Sequence, residues 1–304
     1  MKSFTVALIQ TGWTGDRPSM KKRYYDLVGE AASQGAELVC LPEFSISPYF
    51  ASTTDASGFA WAEALPGGES EQFFSHLAQT FQVAIVGSLY EKTEDGHYFD
   101  TATIHNTDGD LIYTMRKIHI PSGEGYHETT FFEGWNEYPV ADLDFVKMAV
   151  PTCYDQWFPE VARICAIRGA EFIFYPTAIG SEPSAPDFDS QNAWQMVMRG
   201  HAIANGVFIA AANRTGTENG IRFYGSSFVC DSGGNIIASA GRDSTEIVIA
   251  ELDAQIQNQW RELFPLLHQR RTQAYKPILE NTAGTLPDRW KNHPSFASKS
   301  QDIN

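Results

Sequence analysis

Short apolar runs of strand length recur along this chain, and amphipathic stretches of helical spacing stand between them in two similar halves. In the first half, residues 4–10, 37–41 and 83–90 read as strands. Residues 21–34 (Tyr24, Leu27, Val28, Ala31) and 69–81 (Phe73, Leu77, Phe81) read as helices, the first stopping at Gly35. Runs at 101–105 and 111–115 flank Thr107-Asp108-Gly109-Asp110, a hairpin signal. The second half repeats the idea: strands at 138–143, 146–150, 171–175, 207–212, 226–230, 236–239 and 246–251, and helices after residue 158, at 189–205 and at 253–263. A strand that is apolar on both faces must be covered on both, so the alternation predicts an α/β fold. Two mixed sheets would carry helices on their outer faces, giving a four-layer αββα sandwich.

Between the halves, residues 117–138 form a long aperiodic stretch rich in polar and aromatic side chains, and such loops in compact domains usually serve function. A chain of 304 residues, 43% hydrophobic, can bury one large core. We therefore expect a single domain over residues 1–275. The tail, 276–304, lacks the apolar density to pack on itself and is expected to lie across its own or a neighbouring subunit.

Lys and Arg number 22 against 37 acidic residues, a net charge of −15, which speaks against nucleic acid or an anionic membrane surface as partner. No apolar stretch reaches the ~20 residues that span a bilayer. The opening MKSFTVALIQ lacks a following cleavage signal and reads as a buried first strand. Cys40, Cys153, Cys165 and Cys230 show neither C-x-x-C pairing nor zinc spacing, so reduced thiols in a cytoplasmic protein are expected. The sequon at Asn213 would then be without consequence.

Three polar residues follow apolar strands at matching places: Glu43, Lys117 and Cys153. Converging on one rim, a carboxylate, an ammonium and a thiol supply a general base, a cation for a developing oxyanion and a nucleophile. The ammonium and the helix start after Cys153 are expected to lower its pKa, with the sulfur facing open space. Taken singly, each residue also has a plainer reading: a packed thiol, a solvated cap, a surface lysine. His76, His201 and His268 fall in helical patterns and read as core or surface residues. No zinc-deaminase signature, G-x-G-x-x-G or P-loop is present, so no metal and no organic cofactor is expected.

The segments LVCLPEFSISPY, YTMRKIHIP and MAVPTCYDQWFPE, in that order, resemble the nitrilase (carbon–nitrogen hydrolase) superfamily, and the resemblance runs from about residue 4 to 274. It implies the αββα sandwich, Glu43 as general base, Cys153 as nucleophile and Lys117 as the cation, with the Tyr154 N–H completing the oxyanion hole. Glu128, in Gly125-Tyr126-His127-Glu128, resembles a second glutamate that positions the substrate nitrogen and holds the ammonium; read alone, it is a solvated loop carboxylate. CYDQWFPE and FYPTAIGSEP resemble N-carbamoylputrescine amidases and related carbamoyl-amide hydrolases, which implies release of ammonia and carbon dioxide from an N-carbamoyl amine.

Relatives acting on N-carbamoyl amino acids carry an arginine shortly after the cysteine, whereas Gln156 and Trp157 stand there in this chain. A bidentate carboxylate clamp is therefore missing, which favours an amine-bearing small molecule. Gln156, Trp157, Tyr49 and Ala178 are the candidate substrate contacts. The stretch FSISPYF departs from the carbamoylputrescine pattern, which leaves an ω-amide, an aliphatic amide, an N-carbamoyl amino acid or a nitrile as alternatives. The resemblance further implies a homodimer or higher homo-oligomer, with Arg270, Arg271 and Tyr275 in the interface segment. A silent binding subunit is disfavoured because Glu43, Lys117 and Cys153 are all intact.

Overall fold

The computed structural model describes residues 1–280; residues 281–304, most of the expected extension, lie outside the described residues. Sheet one has the order β14-β1-β2-β3-β4-β5, built from β14 (Glu246–Leu252), β1 (Phe4–Gln10), β2 (Leu38–Cys40), β3 (Ala84–Lys92), β4 (Tyr98–His105) and β5 (Leu111–Arg116). Sheet two has the order β13-β12-β9-β8-β7-β6, from β13 (Ile236–Ser239), β12 (Phe228–Cys230), β9 (Phe208–Ala212), β8 (Phe172–Pro176), β7 (Val146–Ala149) and β6 (Ala141–Leu143). Each sheet has a parallel centre with antiparallel flanks: β1-β2-β3 in one, β7-β8-β9 in the other.

The period of two along each strand explains the layers. Val6, Leu8, Val86 and Ile104 of sheet one meet Met148, Phe172, Phe174 and Phe208 of sheet two in the central core. The alternate residues Ala7, Ile9, Val39 and Ile85 pack under α1 (Arg17–Ser33) and α2 (Glu69–Phe81), through Tyr24, Val28, Phe74 and Leu77. Ile173, Tyr175, Ile209 and Ala211 do the same under α3 (Pro159–Ile167) and α4 (Gln191–Asn205), through Val161, Cys165, Trp194 and Met198. This is the four-layer αββα sandwich that the alternation predicts. Cys165 and Cys40 are core packing, as expected.

The differences from the sequence reading have local causes. The first helix begins at Arg17 rather than 21, because Asp16 caps it by accepting the Ser19 N–H at 2.7 Å and Pro18 fits the first turn. The predicted strand at 138–143 shortens to β6, since Pro139 has no N–H to give a ladder. A hairpin with no apolar signal, β10 (Thr215–Glu218) and β11 (Ile221–Tyr224), stands apart from both sheets. The helix expected at 253–263 is α5 (Ala254–Leu263), with Asp253 as its cap, and residues 276–279 form an exposed short turn.

Candidate active site

β7 leaves sheet two at Ala149, and the chain turns at Thr152 into a short 3-10 segment, Cys153–Trp157, before Pro159 opens α3. Cys153 adopts φ of 40°, a left-handed conformation that costs a residue with a Cβ about 1–2 kcal/mol. The turn is held by Asp155, whose buried carboxylate accepts the N–H of Thr152 at 3.3 Å, of Ile118 at 3.2 Å and of His119 at 2.9 Å, and the His119 Nδ1 contact at 2.8 Å. The His119 ring stacks on Phe158 at 3.6 Å. Asp155 thus ties the cysteine turn to the residues just after Lys117.

Lys117 follows β5 directly, and its own N–H still pairs with the Asp100 carbonyl of β4 at 2.9 Å. Its ammonium is fully buried and lies 2.8 Å from Glu43 Oε1, 2.5 Å from Glu128 Oε2 and 3.3 Å from Asp100 Oδ2. Glu43 reaches it from the turn after β2. Glu128 comes from the long loop, through a short turn at Glu128–Thr130, and is buried rather than solvated. The structure therefore brings Glu43, Lys117, Glu128 and Cys153 together, and adds Asp100.

Burial alone would lower the Lys117 pKa, but Glu128, Glu43 and Asp100 outweigh it and hold the ammonium charged. Burial pushes the Glu43 carboxyl well up, Lys117 pulls it back, and Asp100 and Glu128 push it up again. The expectation of an exposed, acidified thiol is overturned. Cys153 is 6% exposed, and burial, followed by the Glu43 charge, raises its pKa well above the ordinary range. Lys117 and the Ala178 backbone amide offset only part of that. The resting group is a neutral thiol beside a carboxylate, which therefore needs a base at the moment of attack.

The sequence profile of the family described as carbon-nitrogen hydrolase matches residues 5–262. The chain belongs to the carbon–nitrogen hydrolase family. Among curated relatives, a citrullinase from Francisella tularensis is 35% identical over 92% of this chain and 99% of its own. An N-carbamoylputrescine amidase from Solanum lycopersicum is 36% identical over 90% of this chain and 94% of its own. The crystal structure of a carbon–nitrogen hydrolase from Helicobacter pylori G27 superposes with a TM-score of 0.85 at 34% identity, covering 92% of this chain and 99% of that one. This protein is accordingly an enzyme that hydrolyses carbon–nitrogen bonds of amides.

The other candidate contacts of the hydrolase separate. The Tyr49 hydroxyl donates to Glu128 Oε1 at 2.8 Å, so Tyr49 braces the second glutamate. Ala178 borders the cysteine through its backbone amide. Gln156 is buried: its side-chain oxygen accepts from Thr177 Oγ1 at 3.3 Å, and its backbone carbonyl meets His201 Nε2 at 3.0 Å. Trp157, four residues past the cysteine, packs half-buried against the outer core of sheet two instead of joining the cluster. Tyr154 is part-buried, with its ring edge against Phe158.

Several residues escaped the sequence reading. Arg214 is buried, and its guanidinium donates to the carbonyls of Glu43 (3.1 Å), Phe44 (2.5 Å) and Ser47 (2.6 Å) and to Glu218 Oε1 (2.8 Å). Glu218 Oε2 in turn accepts the Tyr49 N–H at 2.8 Å. The turn carrying Glu43, with Phe44 at φ of 49°, is clamped from the β10 hairpin. The sequon residue Asn213 is fully buried and bonds to Ile179 and Gly225.

Glu182 lies in the loop that follows β8. That loop rests on β11: a Cβ on Gly180 would sit 2.2 Å from the Arg222 carbonyl, and Ser181 N donates to that same oxygen at 2.9 Å. The Tyr126 hydroxyl donates to the Ser181 carbonyl at 3.0 Å. Glu182 is half-buried, and its carboxylate makes no hydrogen bond or ion pair with any described residue. Tyr126, Tyr154 and Tyr224 each feel its charge as well as that of Cys153, though burial is the larger influence on all three. Asp155 and Asp100 had readable signals, a Thr-x-x-Asp cap spacing and an acid inside an apolar strand. Glu182 lies in the quoted FYPTAIGSEP stretch, though nothing there singles it out, and Arg214 had no such signal.

Proposed function

We propose that this hydrolase cleaves the ureido group of an N-carbamoyl amine whose far end carries a second, cationic amine. The observation that carries the reading is Glu182, a half-buried carboxylate without a hydrogen-bond or ion-pair partner among the described residues, in the same loop after β8 whose Ala178 amide borders Cys153. A cation is its natural partner. Arg214, Arg222 and Arg242 are already engaged: Arg214 by backbone carbonyls and Glu218, Arg222 by Asp243, Arg242 by Asp189. The names of the citrullinase and N-carbamoylputrescine amidase relatives, both of which denote ureido compounds, support the same class.

In this reading Glu43 takes the thiol proton as Cys153 Sγ attacks the ureido carbon. The oxyanion rests against the Lys117 ammonium and the Tyr154 N–H, which lies in a first turn where backbone donors are free. Glu128 holds the ammonium and the substrate nitrogen. Ammonia leaves with a proton from Glu43, and the rest of the substrate stays on the sulfur as an S-linked thiocarbamate. Water, deprotonated by Glu43, releases the carbamic acid as that proton passes back to the departing Cys153 thiolate, and the acid falls apart into carbon dioxide and the amine. The buried, unbridged cysteines are in keeping with a cytoplasmic enzyme. We expect a homodimer or larger homo-oligomer, to be read from light scattering.

Ammonia release should be compared across an N-carbamoyl diamine, an N-carbamoyl monoamine, citrulline, an ω-amide and a nitrile. Glu182→Gln should lower kcat/KM for the diamine derivative about 10–100-fold, the size of one charge-assisted contact of ~1.5–3 kcal/mol, and leave the monoamine derivative nearly unchanged. Equal loss on both, or wild-type preference for the ω-amide or the nitrile, would overturn the assignment.

A further inference from the structure

We propose that Asn213 is a positioning residue for the nucleophile: its side-chain amide holds Ile179 so that the neighbouring Ala178 N–H faces the Cys153 sulfur, ready for the thiolate. The inference rests on the reading of Cys153 as nucleophile and adds a main-chain donor for the sulfur anion. The sulfur is an anion twice in a turnover, as Glu43 takes its proton and again as the carbamic acid leaves.

The device begins where a ladder ends. β8 and β9 pair in parallel from Phe172 and Phe208 to Pro176 and Ala212, and the Thr177 N–H still reaches the Ala212 carbonyl at 2.9 Å. Directly after β9 a side chain takes over from the backbone. Asn213 Oδ1 accepts the Ile179 N–H at 3.0 Å, and Nδ2 donates to the Ile179 carbonyl at 3.0 Å, so the primary amide stands in for a strand peptide. Nδ2 also donates to the Gly225 carbonyl at 2.9 Å, and Oδ1 accepts the Arg214 N–H at 2.8 Å. All four hydrogen-bonding positions of the amide are filled, in a fully buried residue. Burying an amide is costly unless it is bonded in this way.

Ala178 stands between two fixed residues, Thr177 on the Ala212 carbonyl and Ile179 on Asn213. Its N–H is therefore fixed too, and it is this amide that hydrogen-bonds the Cys153 sulfur. The charged groups facing the sulfur are Glu43, Lys117 and Glu128, and the one ammonium already serves Glu43, Glu128 and Asp100. A sulfur anion formed among them gains from a neutral donor that brings no counter-charge. Asn213 bonds to none of those three groups, so it reaches the sulfur only through Ala178. The next residue, Arg214, grips the carbonyls of Glu43, Phe44 and Ser47. One dipeptide thus holds the donor to the thiolate on one side and the turn of the base on the other, which sets their spacing.

Iodoacetamide reacts with the thiolate, so its rate on Cys153 at about pH 8, followed by peptide mass spectrometry, reports the thiolate fraction. Asn213→Ala frees Ile179 and should slow that reaction about tenfold, the size of losing one hydrogen bond to a charged group. It should also lower kcat about 10–100-fold while changing KM less than about threefold. Asn213→Asp keeps the shape. Its carboxyl, facing the Ile179 and Gly225 carbonyls, stays protonated and supplies one donor in place of two, so both rates should fall between those of Asn213→Ala and wild type. If Asn213→Ala does not fold, slower alkylation in Asn213→Asp than in wild type decides. A merely structural asparagine gives the opposite sign, because a loosened loop exposes the sulfur and speeds alkylation. Alkylation as fast as in wild type, or faster, would overturn the proposal. Full activity of Cys153→Ser would instead sink the nucleophile reading on which it rests.

Discussion

The Asp155 carboxylate ties the cysteine turn to the lysine loop, and Asp155→Asn measures what that link is worth. The carboxylate accepts from the Thr152, Ile118 and His119 amides and meets the His119 ring nitrogen, all inside a site where Asp155 itself is fully buried. An asparagine oxygen keeps the contacts made by one carboxylate oxygen and turns an NH2 toward the donors that used the other. Two buried donors then face a donor, at a cost of about 1–3 kcal/mol each before relaxation. Net destabilisation should be about 3 kcal/mol, and at ~2–4 °C per kcal/mol for a chain of this size the Tm should drop by roughly 6–12 °C. Because misplacement near 1 Å can cost a hundredfold in rate, kcat should fall at least about tenfold at temperatures where the variant is still folded. Calorimetry and steady-state ammonia release read the two quantities. A Tm within about 2 °C of wild type together with an unchanged kcat would show that the turn is held by something other than this carboxylate.

Further outcomes follow from the same geometry. Cys153→Ser should abolish ammonia release while leaving the Tm nearly unchanged, and alkylation of Cys153 in the free enzyme should accelerate as pH rises above the ordinary thiol range, because burial raises its pKa. Arg214→Met should destabilise by about 3–5 kcal/mol, as it strands Glu218 and three carbonyls, and should depress kcat more than it raises KM; urea titration and kinetics test both. Burial lowers the pKa of His105 and His201, so the folded state resists protonation that the unfolded chain accepts near pH 6.5. Stability is therefore full above that pH and should fall below it by up to about 1.4 kcal/mol per unit for each histidine, and His105→Phe should flatten the urea-midpoint profile between pH 7.5 and 5.5.

The layers were legible because strands with two apolar faces write themselves as continuous runs, and helices covering them as spaced ones; residues 4–10, 69–81 and 236–239 match their elements end to end. The cluster was legible as far as its members sit next to strand ends or in the quoted motifs, hence Glu43, Lys117, Cys153 and Glu128. What surrounds it was hidden, for a physical reason. Arg214 acts on backbone carbonyls more than 160 positions away, and a carbonyl carries no sequence signature. Gln156 and Trp157 are adjacent to the nucleophile in sequence, but a tight turn sends neighbouring side chains in different directions. The thiol pKa was misjudged for a related reason: nearby charges can be guessed from motifs, whereas burial is a property of the folded site.

The pairing of β14 with β1 has a consequence for how the enzyme is made. Residues 246–252 close the edge of sheet one beside residues 4–10, in full antiparallel register. On the ribosome, once the first strand is made, its outer edge waits for more than 230 further residues of synthesis before it is covered. Throughout that interval it is an open template for pairing with another chain. Nascent chains truncated before residue 246 should thus depend on chaperones in a way that chains released after residue 252 do not.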